Sequence, residues 1–308
     1  MESTNWVAGL GRALNYIEAH ITEELDYAEV ARQAYSSSYH FQRVFSILCG
    51  CTLGEYIRAR RLTLAGQELA GGSCKVIDAA LKYGYESPDS FARAFVRFHG
   101  IKPSLAHEEG AALQSFSRLH LKFSLEGGTK MQYRIEEKEA RIYTGYTRHF
   151  HGVPGDPADR FSQENDMYIH TRANQYILAG LADDAAESYN LIRNIDDGGY
   201  DFSIAALLPD AMRDRLGEPA VLGPEDARRF ESNPVPKTTY AVFETERCRY
   251  PVEKHLDLRR QVVTEWLPSS GYVLAEGPEI LLVHWFRQPQ NTERFIELWL
   301  PVTPTEAP

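Results

Sequence analysis

The strongest constraint on this chain is a repeat fifty residues long. Laid on itself at an offset of 50, the sequence pairs Tyr35 with Tyr85, Ser37 with Ser87, Phe41 with Phe91, Arg43 with Arg93, Phe45 with Phe95 and Gly50 with Gly100, six identities in sixteen positions. Each copy opens with a short apolar-periodic helix, 27–34 or 76–83, passes a serine-bearing turn, and enters a second helix with Phe at i and i+4. Each stops at a glycine, the residue that best tolerates positive φ at a helix C-terminus. Short helix, turn and second helix make the helix-turn-helix plan, whose second helix fits a major groove. The segment 53–70 joins the copies without a proline. As one helix it is a rod of about 27 Å, able to hold two recognition helices roughly 34 Å, one DNA turn, apart. Spacing alone leaves a second reading open, an all-helical protein-interaction domain with a duplicated hairpin.

A net charge of −10 over 308 residues argues against a nucleic-acid binder until it is divided. Residues 1–130 carry 14 Lys+Arg and 14 Asp+Glu, and residues 131–308 carry 19 and 29, so the whole excess lies in the second part. Within 36–105, nine basic residues face five acidic ones. Such a step marks a domain boundary, and the Gly127-Gly128 pair supplies a flexible joint. We read a domain at 1–120, a linker at 121–130 and a domain at 131–308. A 43% hydrophobic, 25% charged composition excludes a disordered or collagen-like chain. With no membrane-length apolar run and no signal-peptide core, a cytoplasmic protein is expected. Cys49, Cys51, Cys74 and Cys248 form neither a CxxC pair nor a disulfide framework and read as reduced thiols.

The runs Ser37-Ser-Tyr-His-Phe-Gln-Arg-Val-Phe45, Thr52-Leu-Gly-Glu-Tyr-Ile-Arg-Ala-Arg-Arg-Leu62, Val76-Ile-Asp-Ala-Ala-Leu-Lys-Tyr-Gly-Tyr-Glu-Ser-Pro-Asp-Ser-Phe-Ala-Arg-Ala-Phe95 and Gly100-Ile-Lys-Pro103 resemble the DNA-binding domain of the AraC/XylS family of bacterial transcription regulators. The resemblance covers about 100 residues and implies double-stranded promoter or operator DNA as partner, with RNA polymerase as a further one that the family's role admits. By matching positions it assigns base-facing roles to Ser38, Tyr39, Gln42 and Arg43 on the first recognition helix, and to Pro88, Asp89, Ser90, Arg93 and Arg97 on the second. Gln pairs with adenine and Arg with guanine in the major groove. Pro88 and Asp89 are poor partners for DNA but suit a helix's first turn, so the second helix is expected to lean toward phosphate positioning. Arg58, Arg60 and Arg61 read equally as a solvated face or as backbone and ion-pair residues.

From 132 to 302, strand-like stretches (133–138, 141–150, near 189, 202–207, 238–245, 279–286, 294–301) alternate with helical ones (159–181, 252–267), the mark of an α+β domain. Period two along 294–301 puts Phe295, Glu297 and Trp299 on one face and Ile296, Leu298 and Leu300 on the other. A lone carboxylate on an apolar strand must gain a proton, an internal partner or an outside cation. The first two make Glu297 structural. The third makes it the anchor of a ligand pocket whose rings add cation–π attraction.

Pro236-Lys-Thr-Thr-Tyr-Ala-Val-Phe-Glu244, Glu265-Trp-Leu-Pro-Ser-Ser-Gly-Tyr272, Glu276-Gly-Pro278 and Phe295-Ile-Glu-Leu-Trp-Leu-Pro301 resemble the GyrI-like small-molecule-binding domain, which accompanies AraC-type domains in multidrug-response regulators. The resemblance implies two pseudo-symmetric βαββ units with a cleft between them and a glutamate on the last strand, here Glu297. Pocket candidates are Tyr146, Phe150, Tyr168 and Phe202 from the first half with Tyr240, Phe243, Trp266, Tyr272, Trp285, Phe295 and Trp299 from the second. His149 and His151 share a strand face but lack a third ligand, so no metal is expected, and no cofactor motif is present. The chain is expected to be an all-α double helix-turn-helix domain joined to an α+β effector domain. It would regulate transcription in response to a small hydrophobic molecule, a cation suiting Glu297, and is not expected to be an enzyme. The alternatives are a hydrolase with Glu297 as general base, or a partner-binding module without ligand.

Overall fold

A computed structural model describes residues 6–120, 130–154, 160–214, 230–251, 254–285 and 293–305. The chain divides into two compact units, Met1–Gln42 with Thr52–Glu126, and Arg43–Cys51 with Gly127–Pro308. Of the expected linker at 121–130, only Lys130 lies among the described residues.

The helical region runs α1 (Trp6–Ala19), α2 (Tyr27–Arg32), α3 (Ser38–Cys49), α4 (Leu53–Ala70), α5 (Val76–Lys82) and α6 (Pro88–His99), closed by a 3₁₀ turn at Pro103–Leu105. The chain's own signals set these bounds. Thr52 and Glu55 form a reciprocal capping box at the start of α4. Ser87 caps α6 by accepting from the Ser90 amide, with Pro88 in the first turn. The repeat's paired glycines, Gly50 and Gly100, both sit at positive φ, 69° and 78°, where a side chain would strain the backbone. The repeat's tyrosines diverge. Tyr85 packs edge-on against Phe91 at 5.2 Å, whereas Tyr35 is 77% exposed beneath the Arg12 guanidinium.

Two of the three α4 arginines, Arg60 and Arg61, are structural, while Arg58 is exposed. Arg60 engages the Glu18 carboxylate through Nε at 2.9 Å and Nη2 at 3.0 Å and donates to the Phe116 carbonyl. Arg61 donates to the carbonyls of Ile21 and Glu23. The core of the second repeat collects Leu62, Ala65, Ala79, Ala80, Phe91 and Phe95. At its edge the buried His99 ring donates from Nε2 to the Leu62 carbonyl at 3.0 Å and accepts the Gln114 amide at Nδ1, which fixes the neutral tautomer. Burial holds its pKa below the ordinary value, against the pull of the Leu62 carbonyl.

Among the described residues, the second unit is built on a nine-stranded antiparallel sheet. Its strands are β1 (Tyr133–Lys138), β2 (Arg141–Phe150), β3 (Glu187–Asp196), β4 (Gly199–Leu207), β5 (Glu231–Val235), β6 (Thr238–Glu244), β7 (Tyr272–Leu274), β8 (Glu279–His284) and β9 (Phe295–Pro304). Its helices are α7 (Arg160–His170), α8 (Arg172–Leu181), α9 (Asp210–Asp214) and α10 (Lys254–Gln261), the last continuing through a π turn at Val262–Trp266. The order β1-β6-β9-β8-β3-β4-β2-β5 is symmetric about the β8/β3 pair. One half is β2, helices, β3, β4 and the other β6, helix, β8, β9, two β-α-β-β units as expected. The leading strands are exchanged, because β1 pairs with β6 and β5 pairs with β2.

Two elements differ from expectation. The helix expected at 159–181 is broken at Thr171, whose hydroxyl bonds back to the Met167 carbonyl at 2.7 Å. Strand β5 was not expected because Pro234 interrupts it. It is an edge strand, the one place in a sheet where a proline's missing donor is tolerated.

A Cβ built on Gly66 in α4 would lie 2.8 Å from the His99 ring. Gly66→Ala should therefore push the ring off its two hydrogen bonds and lower stability by about 1–3 kcal/mol, read as a fall in the denaturant midpoint at unchanged slope.

Candidate functional site

On α6, burial of Phe91, Phe95 and His99 turns the opposite side outward, and Pro88, Asp89, Arg93 and Arg97 are exposed there. Arg93 and Arg97 are one helical turn apart and share a face. Ser90 is half-buried and gives its hydroxyl to the Ser87 carbonyl at 2.8 Å, so it serves the cap. On α3, Ser38, Tyr39 and Gln42 are half-buried, with the Gln42 amide donating to the Ser38 hydroxyl at 3.0 Å. Arg43, grouped with the second unit, is 7% exposed and ion-paired to Glu279.

The pairing register sorts the second unit's aromatic candidates onto two faces. Tyr146, Phe150, Phe202 and Phe243 point to the face covered by helices. There Phe150 stacks on Phe202 at 5.5 Å, Tyr168 meets Phe202 edge-on, and Trp266 packs against Phe243 at 5.1 Å and stacks on Tyr272. Tyr240, Phe295, Glu297 and Trp299 occupy the opposite face. Two residues the sequence reading left out join them, Tyr143 of β2 and Tyr189 of β3. The cluster unites Tyr143 and Val235 from one end of the strand order with Tyr240 and Val242 near the other, so the sheet curls around this face. Trp285 stands apart, beside Arg294 and Glu187 at a separate cavity of about 490 Å³.

Glu297 sits in the middle of the curled face, 8% exposed. Its Oε2 accepts from Trp299 Nε1 and from Arg134 Nη2, each at 2.7 Å, and His284 Nε2 lies 3.4 Å from Oε1. Burial works to raise the Glu297 carboxyl, but hydrogen bonds from His284 and Trp299 and the Arg134 charge outweigh it and hold the group below its ordinary value. Arg134 also bonds Glu136 and Glu244, and Lys138 Nζ stands 4.5 Å above the centre of the Trp299 ring. Phe295 lies between His284, stacked at 4.1 Å, and the Arg247 guanidinium at 3.9 Å. Burial pushes the Tyr143 hydroxyl up to about 12 and raises those of Tyr189 and Tyr240, so all three stay protonated.

Arg134 and Glu244 also line a cavity of about 800 Å³ with Tyr133, Arg247 and Lys254. On the helix-covered side, Arg259 holds both oxygens of the fully buried Glu279 at 2.9 and 3.0 Å. His149 Nδ1 is 2.9 Å from Asp201, with His151 5.9 Å away ring to ring. Among the described residues no three His, Cys, Asp or Glu side chains converge on a point where a metal could sit, and no helix is long and apolar enough to cross a membrane.

A duplicated, capped helix-turn-helix followed by a curled antiparallel sheet defines the class, a DNA-binding module joined to a second, α+β unit. The family described as "Helix-turn-helix domain" matches residues 30–107. The chain is 42% identical over 96 residues to the HTH-type transcriptional activator AarP of Providencia stuartii, covering 31% of this chain and 71% of that one. It is 38% identical over 91 residues to the regulatory protein SoxS of Salmonella typhimurium, covering 30% and 85%. The chain belongs to the AraC/XylS family of transcription regulators. Among solved structures, SAV2435 bound to tetraphenylphosphonium aligns at 14% identity with a TM-score of 0.42, covering 56% of this chain and 94% of that one.

Two outcomes follow from the buried charges. Glu279→Ala leaves Arg259 buried without its carboxylate and should cost about 3–5 kcal/mol in denaturant unfolding. Glu297, its pKa depressed on folding, adds stability above the ordinary glutamate value, about 4.3. That contribution fades as the pH falls through the lower folded value, so Glu297→Gln should flatten the acid limb of the stability profile between those two values.

Proposed function

We propose that the chain is a ligand-responsive transcription regulator acting in the cytoplasm. In this reading residues 1–120 hold operator DNA, and the GyrI-like unit at 131–308 takes a small hydrophobic effector. The observation that carries the DNA half is the outward face of α6, where Arg93 and Arg97 stand exposed on a helix whose other side is locked into the core. The two β-α-β-β units and the aromatic face around Glu297 support the effector half. Effector and DNA are then coupled as a difference in DNA affinity between occupied and empty protein. The hydrolase reading needs Glu297 as general base. A carboxylate held below its usual range and bonded to Arg134 and Trp299 is a weak base, which favours binding over turnover.

Arg93 is assigned a base contact and Arg97 a phosphate contact, whereas Arg43, expected from the sequence to face a base, is buried against Glu279 and is given no DNA contact. Replacing Arg93 by Ala should weaken operator binding by about 1–3 kcal/mol and lower the operator-to-random-DNA ratio. Arg97→Ala should weaken both DNAs alike and reduce the salt slope by about one. Titrations in which both variants keep wild-type operator affinity would sink the assignment.

A further inference from the structure

The two features that would draw a cation into the curled face already hold cations of the chain itself. Arg134 supplies the guanidinium on Glu297 at 2.7 Å, and Lys138 supplies the ammonium over Trp299 at 4.5 Å. Both come from β1, four residues apart on one face of an edge strand. We propose that Arg134 and Lys138 are the specificity-determining residues of this unit, an internal occupant of the cation-receiving position that turns away lipophilic cations. The inference rests on the effector-site reading above and adds the charge class that the site refuses.

Charge and geometry both point this way. Glu136, Glu244 and Glu297 bring three negative charges to the cluster, and Arg134, Lys138 and Arg247 bring three positive ones through direct ion pairs. An incoming cation therefore meets a neutralised cluster, and to reach Glu297 it must displace a guanidinium bonded to three carboxylates. The ring face offers no easier entry, since cation–π attraction there is already taken by Lys138. Access is not the barrier. Arg134 is 38% exposed and forms part of the wall of the 800 Å³ cavity, so a molecule in that cavity meets Arg134 before it meets Glu297. The edge position of β1 lets both side chains change without disturbing a central strand.

Tetraphenylphosphonium and tetraphenylborate share shape and differ in charge sign, and calorimetric titration of full-length protein with each isolates the charge preference. In Arg134→Gln/Lys138→Gln, affinity for the phosphonium relative to the borate should rise at least tenfold over wild type, and adding Glu297→Gln should cancel the rise. Lys138→Gln alone frees the ring but not the carboxylate and should give a smaller gain. Arg134→Lys, which keeps the charge, should give none. Thermal unfolding checks that each variant is folded. A preference that stays within twofold of wild type in the double variant, or survives Glu297→Gln, overturns the inference while leaving the effector-site reading intact. If neither ion binds saturably to wild type or to any folded variant, the effector-site reading falls and the inference with it.

Discussion

A carboxylate in the middle of an antiparallel sheet cannot remain charged without opposing charge close by, and the organisation around Glu297 answers that requirement. The strand that carries it is flanked by β6 and β8, so its compensation comes across strands from His284 and Arg134 and along its own strand from Trp299. Arg134 in turn brings two more glutamates, and one of them brings Lys138. The polar network is thus anchored at one buried atom pair and opens outward, and its rim forms part of the wall of the 800 Å³ cavity.

Much of the helical region was legible in the sequence because its determinants are local. Glycines at two helix ends, a capping box at Thr52 and a Phe pair at i and i+4 each act within a few residues, and the structure places helices where they point. The role of α4 was less legible. Arg60 and Arg61 look like a solvated stripe until Glu18 and the carbonyls of Ile21 and Glu23, about forty positions earlier, are brought against them.

In the sheet, period two correctly put Phe295, Glu297 and Trp299 on one face, but it says nothing about which residues of other strands share that face. Register decides that. Tyr240 falls beside Trp299, while Phe243, three residues on, goes to the helix side. Tyr143 and Tyr189 join the cluster through pairings that no local pattern announces. The counter-charge of Glu297 lies 163 positions away on an edge strand, and Pro234 hid the opposite edge strand. The sequence thus raised the right question about Glu297 and could not choose between an internal partner and an external cation.

The exchanged leading strands carry a further implication. Each β-α-β-β half has its outermost hydrogen-bonding edge covered by a strand that precedes the other half in the chain. Neither half is therefore a self-sufficient folding unit, since separating them strips one ladder from each. A single half, expressed alone, would regain its missing ladder only from a second copy, so the curled sheet has the form of a homodimer fused into one chain. In such a dimer the two-fold axis would run between the positions of β3 and β8. The two halves differ at the site itself, with Glu297 on one side of that axis and Ser203 at the matching place in β4 on the other.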